Sequence, residues 1–239
     1  MAEEFEGDLS GSEFWGADLR GATFRDVDLT GVRISHALVV DVEIDAQVDR
    51  LVVNGVDVTT FVHEHDPWHP LRSMLRPHAA AMPAAWDAFE AAWAEAVHEA
   101  SALPEALLHE SVGGEWSFVQ TVRHLVFAID KWCTLPLLGG GFHVIGLPNS
   151  GSADFPWPGL DPTARPSAAE ALAVHADRRA AFGRHLETIT EADLDRPVEV
   201  LENGTCLVRD CLFTVFEETF WHLRYARRDL AALAASSAP

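Results

Sequence analysis

The chain has 239 residues, and 48% of them are hydrophobic, so it is long and apolar enough to fold around a core of its own. It carries 17 Lys and Arg against 37 Asp and Glu, and the net charge of -20 repels phosphate backbones and acidic lipid surfaces. We therefore expect neither nucleic acid nor a membrane as partner. No apolar run of membrane-spanning length and no basic, apolar leader is readable, and Cys133, Cys206 and Cys211 form no C-x-x-C pair, so we expect a cytoplasmic protein.

Residues 7–46 repeat with a period of five, beginning GDLSG, SEFWG, ADLRG. Each unit has a large apolar residue at its centre, and these residues are Leu9, Phe14, Leu19, Phe24, Leu29, Ile34, Val39 and Ile44. A smaller residue stands two positions before each of them. The pattern resembles the pentapeptide-repeat family, which implies a short right-handed β-coil with four units in each turn. Eight units make about two turns, too few to bury a core unaided, so we expect the coil to pack against the next part of the chain.

Two β-branched runs then flank Asn54-Gly55, a pair typical of a type I′ hairpin, which we expect to cap the coil. Residues 62–70 contain two prolines and are interpreted as a linker, with His63, His65 and His69 exposed to solvent. The sequence therefore predicts a first domain over residues 1–60 and a second over residues 61–239.

In the second domain the apolar residues recur at spacings of three and four, which indicates helices. The four predicted helices span residues 83–100, 117–133, 167–188 and 208–235, with a short earlier piece over residues 71–76. Capping boxes at Ser117 and Ser167 mark two of the starts. The Gly- and Pro-rich residues 136–166 show no periodicity, and so long a loop is typical of a wall or lid over a site.

Three side chains could bind a metal ion. Glu218 and His222 stand four residues apart on the fourth helix, beside its apolar face, and His124 stands at the margin of the apolar stripe on the second helix. A carboxylate buried beside two imidazoles is costly unless a cation or hydrogen bonds compensate it. The spacing E-x-x-x-H also arises by chance on surface helices, so the pattern alone leaves an ordinary charged helix face as the alternative.

The segments around these residues resemble a known family. Gly114-Glu115-Trp116-Ser117, followed by Thr121 to Ala128, is similar to the second helix of DinB-like proteins. Glu217-Glu218-x-x-x-His222, followed by Tyr225 to Leu230, is similar to their fourth helix. The resemblance implies a mainly α DinB-like four-helix bundle with a metal site at His124, Glu218 and His222. Where many members have a third histidine this chain has Glu218, which resembles the mycothiol-dependent maleylpyruvate isomerase branch.

A His-Glu-His set suits zinc with one position open, and nickel, iron or manganese would also accept these ligands. The resemblance implies a metal-dependent thiol transferase or isomerase, with a low-molecular-weight thiol such as mycothiol as cosubstrate and a small electrophile as substrate. The alternative is a non-enzymatic, metal-stabilised binding or stress protein that uses the repeat coil as an interaction surface. A homodimer is left open.

Four further residues are candidates for substrate binding. Arg227 or Arg228 could pair with a carboxylate, although both also suit a helix C-terminus. His143 could line the mouth of the site or be an ordinary loop residue, and Tyr225 could belong to the site or to the core. Asp130 and Lys131 are interpreted as surface charges at the end of the second helix.

Overall fold

The computed structural model describes residue 5 and residues 7–25, 27–149, 155–161 and 163–237. Contacts divide the chain into two compact units, Met1–Asp45 and Ala46–Pro239, and each is described here by itself. The hairpin predicted for the first domain belongs to the second unit. A boundary after residue 60 therefore stays a prediction, and residues 1–4, 6 and 26 of that predicted domain lie outside the described residues.

The first unit is a succession of tight turns. Leu9, Leu19 and Leu29 each accept a backbone hydrogen bond from the residue three positions later, at 3.0 to 3.1 Å. The third residue of each turn is a glycine with a φ of 75° or 76°, a conformation that favours glycine. The described residues of this unit include no strand, and the central apolar residues are 48% to 77% exposed. The predicted β-coil is therefore not confirmed.

The second unit begins with the predicted hairpin, in which β1 (Val52–Val53) pairs with β2 (Val56–Asp57) in antiparallel register. The interpretation of residues 62–70 as an irregular linker is wrong, because they fall largely in α1 (Thr59–His65) and α2 (His69–Arg72). Pro70 lies in the first turn of α2, where a missing N–H costs no hydrogen bond.

Two of the three linker histidines are also more enclosed than predicted. The His63 and His69 rings stack at 4.0 Å, and His63 Nε2 lies 2.7 Å from the Val48 carbonyl oxygen. His65 alone is exposed.

Four long helices come next in the chain. They are α3 (Met82–Ser101), α5 (Phe118–Ile129), α6 (Ala168–Leu186) and α8 (Val208–Ser237). One turn of π-helix, Asp130–Thr134, continues α5. Both predicted capping boxes form, since the Ser117 and Ser167 hydroxyls accept the backbone N–H groups three residues later. Shorter elements connect the long helices: α4 (Glu105–Leu108), α7 (Glu191–Leu194), β3 (Pro197–Glu199) and β4 (Thr205–Leu207).

The long helices pack pairwise around an apolar interior, with α5 against α6 and α8, and α3 against α8 and α6. One part of the interior is an aromatic cluster of Trp86, Phe89, Phe182, Phe216 and Phe220. The other part lies around Trp93, Phe118, Leu125 and Leu223. The chain is thus mainly helical, as predicted. In the described part of the chain, no helix combines the length and apolar character needed to cross a bilayer.

One imidazole in the interior makes the stability of the fold depend on pH. His175 of α6 is 1% exposed, meets the Trp93 ring edge-on at 5.2 Å, and has no hydrogen-bond partner for either nitrogen among the described residues. Burial, and then the charge of Arg179, holds the pKa of His175 well below its usual 6.5 in the folded chain. The unfolded chain takes up that proton at the ordinary pKa.

Stability should therefore be complete above about pH 6.5 and fall below it, by up to about 1.4 kcal/mol per pH unit for this group. Replacing His175 with Leu is expected to flatten the dependence of the unfolding free energy on pH between about 7 and 5, measured by urea unfolding. The exposed His98→Gln variant is the matched control. An unchanged slope in His175→Leu would contradict this assignment.

Candidate metal centre

The three predicted ligands come from two helices that pack against each other. The capping box at Ser117 fixes the start of α5 and thereby the face on which His124 lies. On α8, Glu218 and His222 stand one turn apart and so project from the same face. The apolar neighbours Leu125 and Leu223 are fully buried and belong to one cluster, which holds the two helices together.

The structure brings all three side chains together. A Glu218 carboxylate oxygen, Oε2, lies 3.2 Å from His124 Nε2 and 3.2 Å from His222 Nδ1. One ligand atom from each residue can be chosen so that all three lie within 4.8 Å of one another. The His124 side chain is 5% exposed, His222 15% and Glu218 30%, so the cluster is buried on its helix side and reaches solvent at Glu218.

Backbone carbonyls fix the orientation of the two imidazole rings and which nitrogen of each carries hydrogen. His124 Nδ1 lies 2.9 Å from the Leu147 carbonyl oxygen, and His222 Nδ1 lies 2.9 Å from the Glu218 carbonyl oxygen. A carbonyl only accepts, so both Nδ1 atoms carry hydrogen and each neutral ring keeps its lone pair on Nε2. His124 Nε2 then faces a carboxylate oxygen, and two acceptors this close need a proton or a cation between them. The donor set therefore fits a divalent metal ion, and the carbonyl contacts are the kind that orient histidine ligands.

The pKa shifts of Glu218 and His222 keep both groups ready to bind a cation. Burial lowers the pKa of His222 to about 4, so its ring stays neutral near pH 7. Burial alone would raise the pKa of Glu218, but the hydrogen bond with His124, the two neighbouring imidazoles and the charge of Lys131 leave it below its usual value. Glu218 is therefore ionised.

A segment of the loop after α5, residues 145–147, runs along that helix, and we call it the strap. Arg123 Nε donates to the Ile145 carbonyl at 2.8 Å, the Leu147 N–H donates to the Arg123 carbonyl at 3.2 Å, and Leu147 in turn accepts from His124. The strap therefore orients a predicted ligand directly. On the other side, Trp116 packs its ring 4.7 Å from that of His124 and 6.1 Å from that of His222.

Beyond His124, aromatic side chains from the loop cover the next turns of α5. Phe127 lies 5.9 Å from the His124 ring and contacts Phe142 at 5.5 Å and Trp157 at 4.8 Å. The described part of residues 136–166 thus covers α5 next to His124, and its role as a wall over a site stays a prediction. Residues 150–154 and 162 of that loop lie outside the described residues.

Family models identify both parts of the chain. The model of the DinB superfamily matches residues 88–226, which is more than half of the chain. The chain belongs to the DinB superfamily. A second model, of pentapeptide repeats, matches residues 8–38 of this DinB protein. No curated protein and no solved structure matches the chain.

The four predicted substrate residues lie in different surroundings. Tyr225 stands beside the cluster, its ring 6.0 Å from that of His222. Arg227 pairs with Glu95 and Glu99 of α3, at 3.2 and 2.7 Å.

The other two point elsewhere. Arg228 pairs with its neighbour Asp229 at 2.7 Å. His143 lines an open cavity of about 540 Å³ between the strap and α6, together with Arg165 and Glu170. Their role in substrate binding stays a prediction.

The interpretation of Asp130 and Lys131 as surface charges is wrong. Asp130 is 0% exposed and Lys131 6%, because the π-turn carries both into the interior. Asp130 accepts from Arg178 Nε and from the His143 N–H, both at 2.7 Å, while Lys131 Nζ lies 2.6 Å from Glu202 Oε1. One signal in the sequence could have revealed Lys131: it stands seven residues after His124, on the same face of an ideal helix.

The strap has little room to move away from α5. A methyl group at Gly146 would come within 2.9 Å of Leu160, 3.2 Å of the His143 carbonyl and 3.4 Å of Phe127. We predict that Gly146→Ala destabilises the fold by about 1 to 3 kcal/mol and lengthens the bond that orients His124. Zinc affinity should then fall by about tenfold or more, measured against a competing chelator.

Gly141→Ala, in the same loop, is the matched control for this variant, because a methyl group at Gly141 would have no neighbouring atom within 4 Å. If Gly146→Ala and Gly141→Ala bind zinc equally well, the strap does not position the ligand.

Proposed function

We propose that this DinB protein holds one divalent metal ion, zinc foremost, between His124, Glu218 and His222, and that it works as a thiol transferase or isomerase. The ligand atoms of two imidazoles and a carboxylate, all within 4.8 Å of one another, are the observation that carries the proposal. Nickel, iron and manganese would accept the same ligands. Membership of a superfamily whose proteins generally bind metals supports it.

Three protein ligands leave a tetrahedral ion one open position, where it would favour the thiolate form of a bound thiol. This chain's own side chains supply the other features of the site. Trp116 packs beside both imidazoles and Phe127 beside that of His124, while Glu218 is the most exposed of the three side chains. A thiol can thus approach from the Glu218 side, while the described part of the loop supplies an aromatic wall for an electrophile. Mycothiol, as the thiol, rests on the resemblance in sequence alone.

The metal site predicts a clear contrast between two adjacent carboxylates. Glu218→Gln keeps the shape but loses charge, and should weaken zinc binding by about ten- to a hundredfold in chelator competition. Glu217→Gln is the matched control, because Glu217 accepts from Arg76 Nε at 3.0 Å instead. His124→Ala and His222→Ala should lose most of the metal. Unchanged occupancy in both alanine variants would remove the site.

An open metal position predicts binding that requires a sulfur atom. Zinc-loaded protein titrated calorimetrically with mycothiol or N-acetylcysteine should bind about one equivalent per chain. N-acetylserine, which has a hydroxyl in place of the thiol, should not bind measurably. Thiol binding should disappear in His222→Ala.

Zinc binding without any preference for the thiol would contradict the transferase proposal. It would favour the second candidate, a metal-stabilised binding protein. The observation behind that candidate is the row of exposed apolar side chains in the repeat unit, including Phe14 at 66% and Ile34 at 77%.

A further inference from the structure

A path of contacts leads from the metal ligands to a buried ammonium group. On α5 and its π-turn, Phe127 stands three residues after His124, and Lys131 four residues after Phe127. The Trp157 ring lies 4.8 Å from the Phe127 ring and 5.4 Å from Lys131 Nζ. Long side chains on a helix lean toward its N-terminus, which brings the ammonium group back toward Phe127. His124, Phe127 and Lys131 therefore follow one another along one side of α5 and its π-turn, with Trp157 packed against the last two.

The ammonium group is enclosed but has a single carboxylate in contact. The Lys131 side chain is 8% exposed, and Glu202 is its ion-pair partner among the residues that the structure describes. Asp130, next to it in the chain, is already engaged by Arg178 and by the His143 N–H. A charge this buried is costly without a counter-charge, so some carboxylate must be present.

Glu202 is a counter-charge that reaches the protein surface. It stands in the one-turn 3-10 helix Leu201–Asn203 that joins β3 to β4, and its side chain is 29% exposed. Leu201 holds a φ of 38°, in the left-handed region that is costly for a residue with a side chain. A partly exposed glutamate from a hairpin thus occupies a position that a ligand carboxylate could take.

The aromatic side chains around Lys131 indicate which group accompanies the carboxylate of a ligand bound there. Lys131 Nζ lies 5.0 Å from the Trp132 ring as well as 5.4 Å from that of Trp157, and Phe127 completes an apolar lining. Aromatic faces pack favourably against planar groups. One ammonium group without an arginine fork suits a monoanion such as a carboxylate better than a phosphate dianion.

We infer that Lys131, Phe127 and Trp157 form a subsite beside the metal ligands that binds the carboxylate of a planar, aromatic or unsaturated substrate, with Glu202 occupying it when no substrate is bound. The subsite rests on the proposed function for its role as the electrophile's pocket. Glu202 acts as an internal competitor, and the ligand carboxylate replaces it on the ammonium group. Lys131 is thereby a substrate-binding residue.

Opposite changes in affinity test this subsite. Zinc-loaded full-length protein is titrated calorimetrically with benzoate and with benzamide, its uncharged analogue. Benzoate should bind at least about tenfold more tightly, because only benzoate forms a charge-assisted bond with Lys131. Lys131→Gln should abolish that preference. Glu202→Gln should strengthen benzoate binding several-fold, because the competitor has lost its charge.

Glu199→Gln is the matched control on the same hairpin, since Glu199 is exposed and accepts from the Thr205 hydroxyl at 2.6 Å. If Lys131 and Glu202 form only a structural ion pair, Glu202→Gln will lower the melting temperature without raising benzoate affinity, and the subsite is excluded. Equal binding of benzoate and benzamide by the parent protein excludes it too. Should Lys131→Gln fail to fold, the Glu202→Gln result still decides.

Failure of the subsite and failure of the proposed function give different results. Zinc and thiol binding without a benzoate preference leaves the function in place and overturns the subsite. A benzoate preference that persists in His222→Ala, or in a parent protein that takes up no zinc, supports the subsite as an anion-binding pocket and removes the metal from its role.

Discussion

The packing of α5 against α8 is the constraint on which the site depends. It brings His124 to Glu218 across 94 residues of chain, and neither helix alone could supply three donors. The apolar neighbours on each helix set this packing, so the positions of the donors follow from the core. The contact between His124 and Glu218 is stabilising only if a proton or a cation lies between them, because a neutral His124 turns a lone pair toward the carboxylate. The packing of the two helices thus brings together electron-rich groups that a bound cation would stabilise.

The loop after α5 couples the site to the outer surface of the molecule. Arg123 and His124 are adjacent, yet each bonds a carbonyl group of the same strap, Ile145 and Leu147 respectively. A displacement of the strap would therefore turn the His124 ring and change the direction of its lone pair. The same loop contributes Trp157 to the wall beside Lys131. Binding of a substrate against that wall and orientation of the metal ligand are consequently linked through one segment.

Local signals were enough to predict the long helices, whereas the metal site at the three clustered side chains was predicted only through the resemblance to DinB-like proteins. Capping boxes and apolar periodicity depend on residues close together in the sequence, and they predicted the starts of the four long helices to within one residue of those observed. The prediction of a linker over residues 62–70 is wrong because proline interrupts a helix only beyond its first turn, and Pro70 occupies the first turn of a helix. The burial of Asp130 and Lys131 was beyond local reasoning, since it depends on a π-turn and on tertiary partners as far as 71 residues away. The β-coil was not confirmed for a related reason: five-residue periodicity specifies turns, but burial of the central residues requires neighbours that the pattern does not supply.

The carboxylate at position 218 changes the charge balance of the whole pocket. Three neutral imidazoles would leave a divalent ion with its full charge, whereas Glu218 removes one unit and makes the ion a weaker Lewis acid. Lys131 restores a positive charge nearby, since its field contributes to lowering the pKa of Glu218. Glu202 cancels that charge while it remains paired. An anionic substrate that displaced Glu202 would therefore bring its own charge to the ammonium group, and the metal ligands would keep the field they had before it bound.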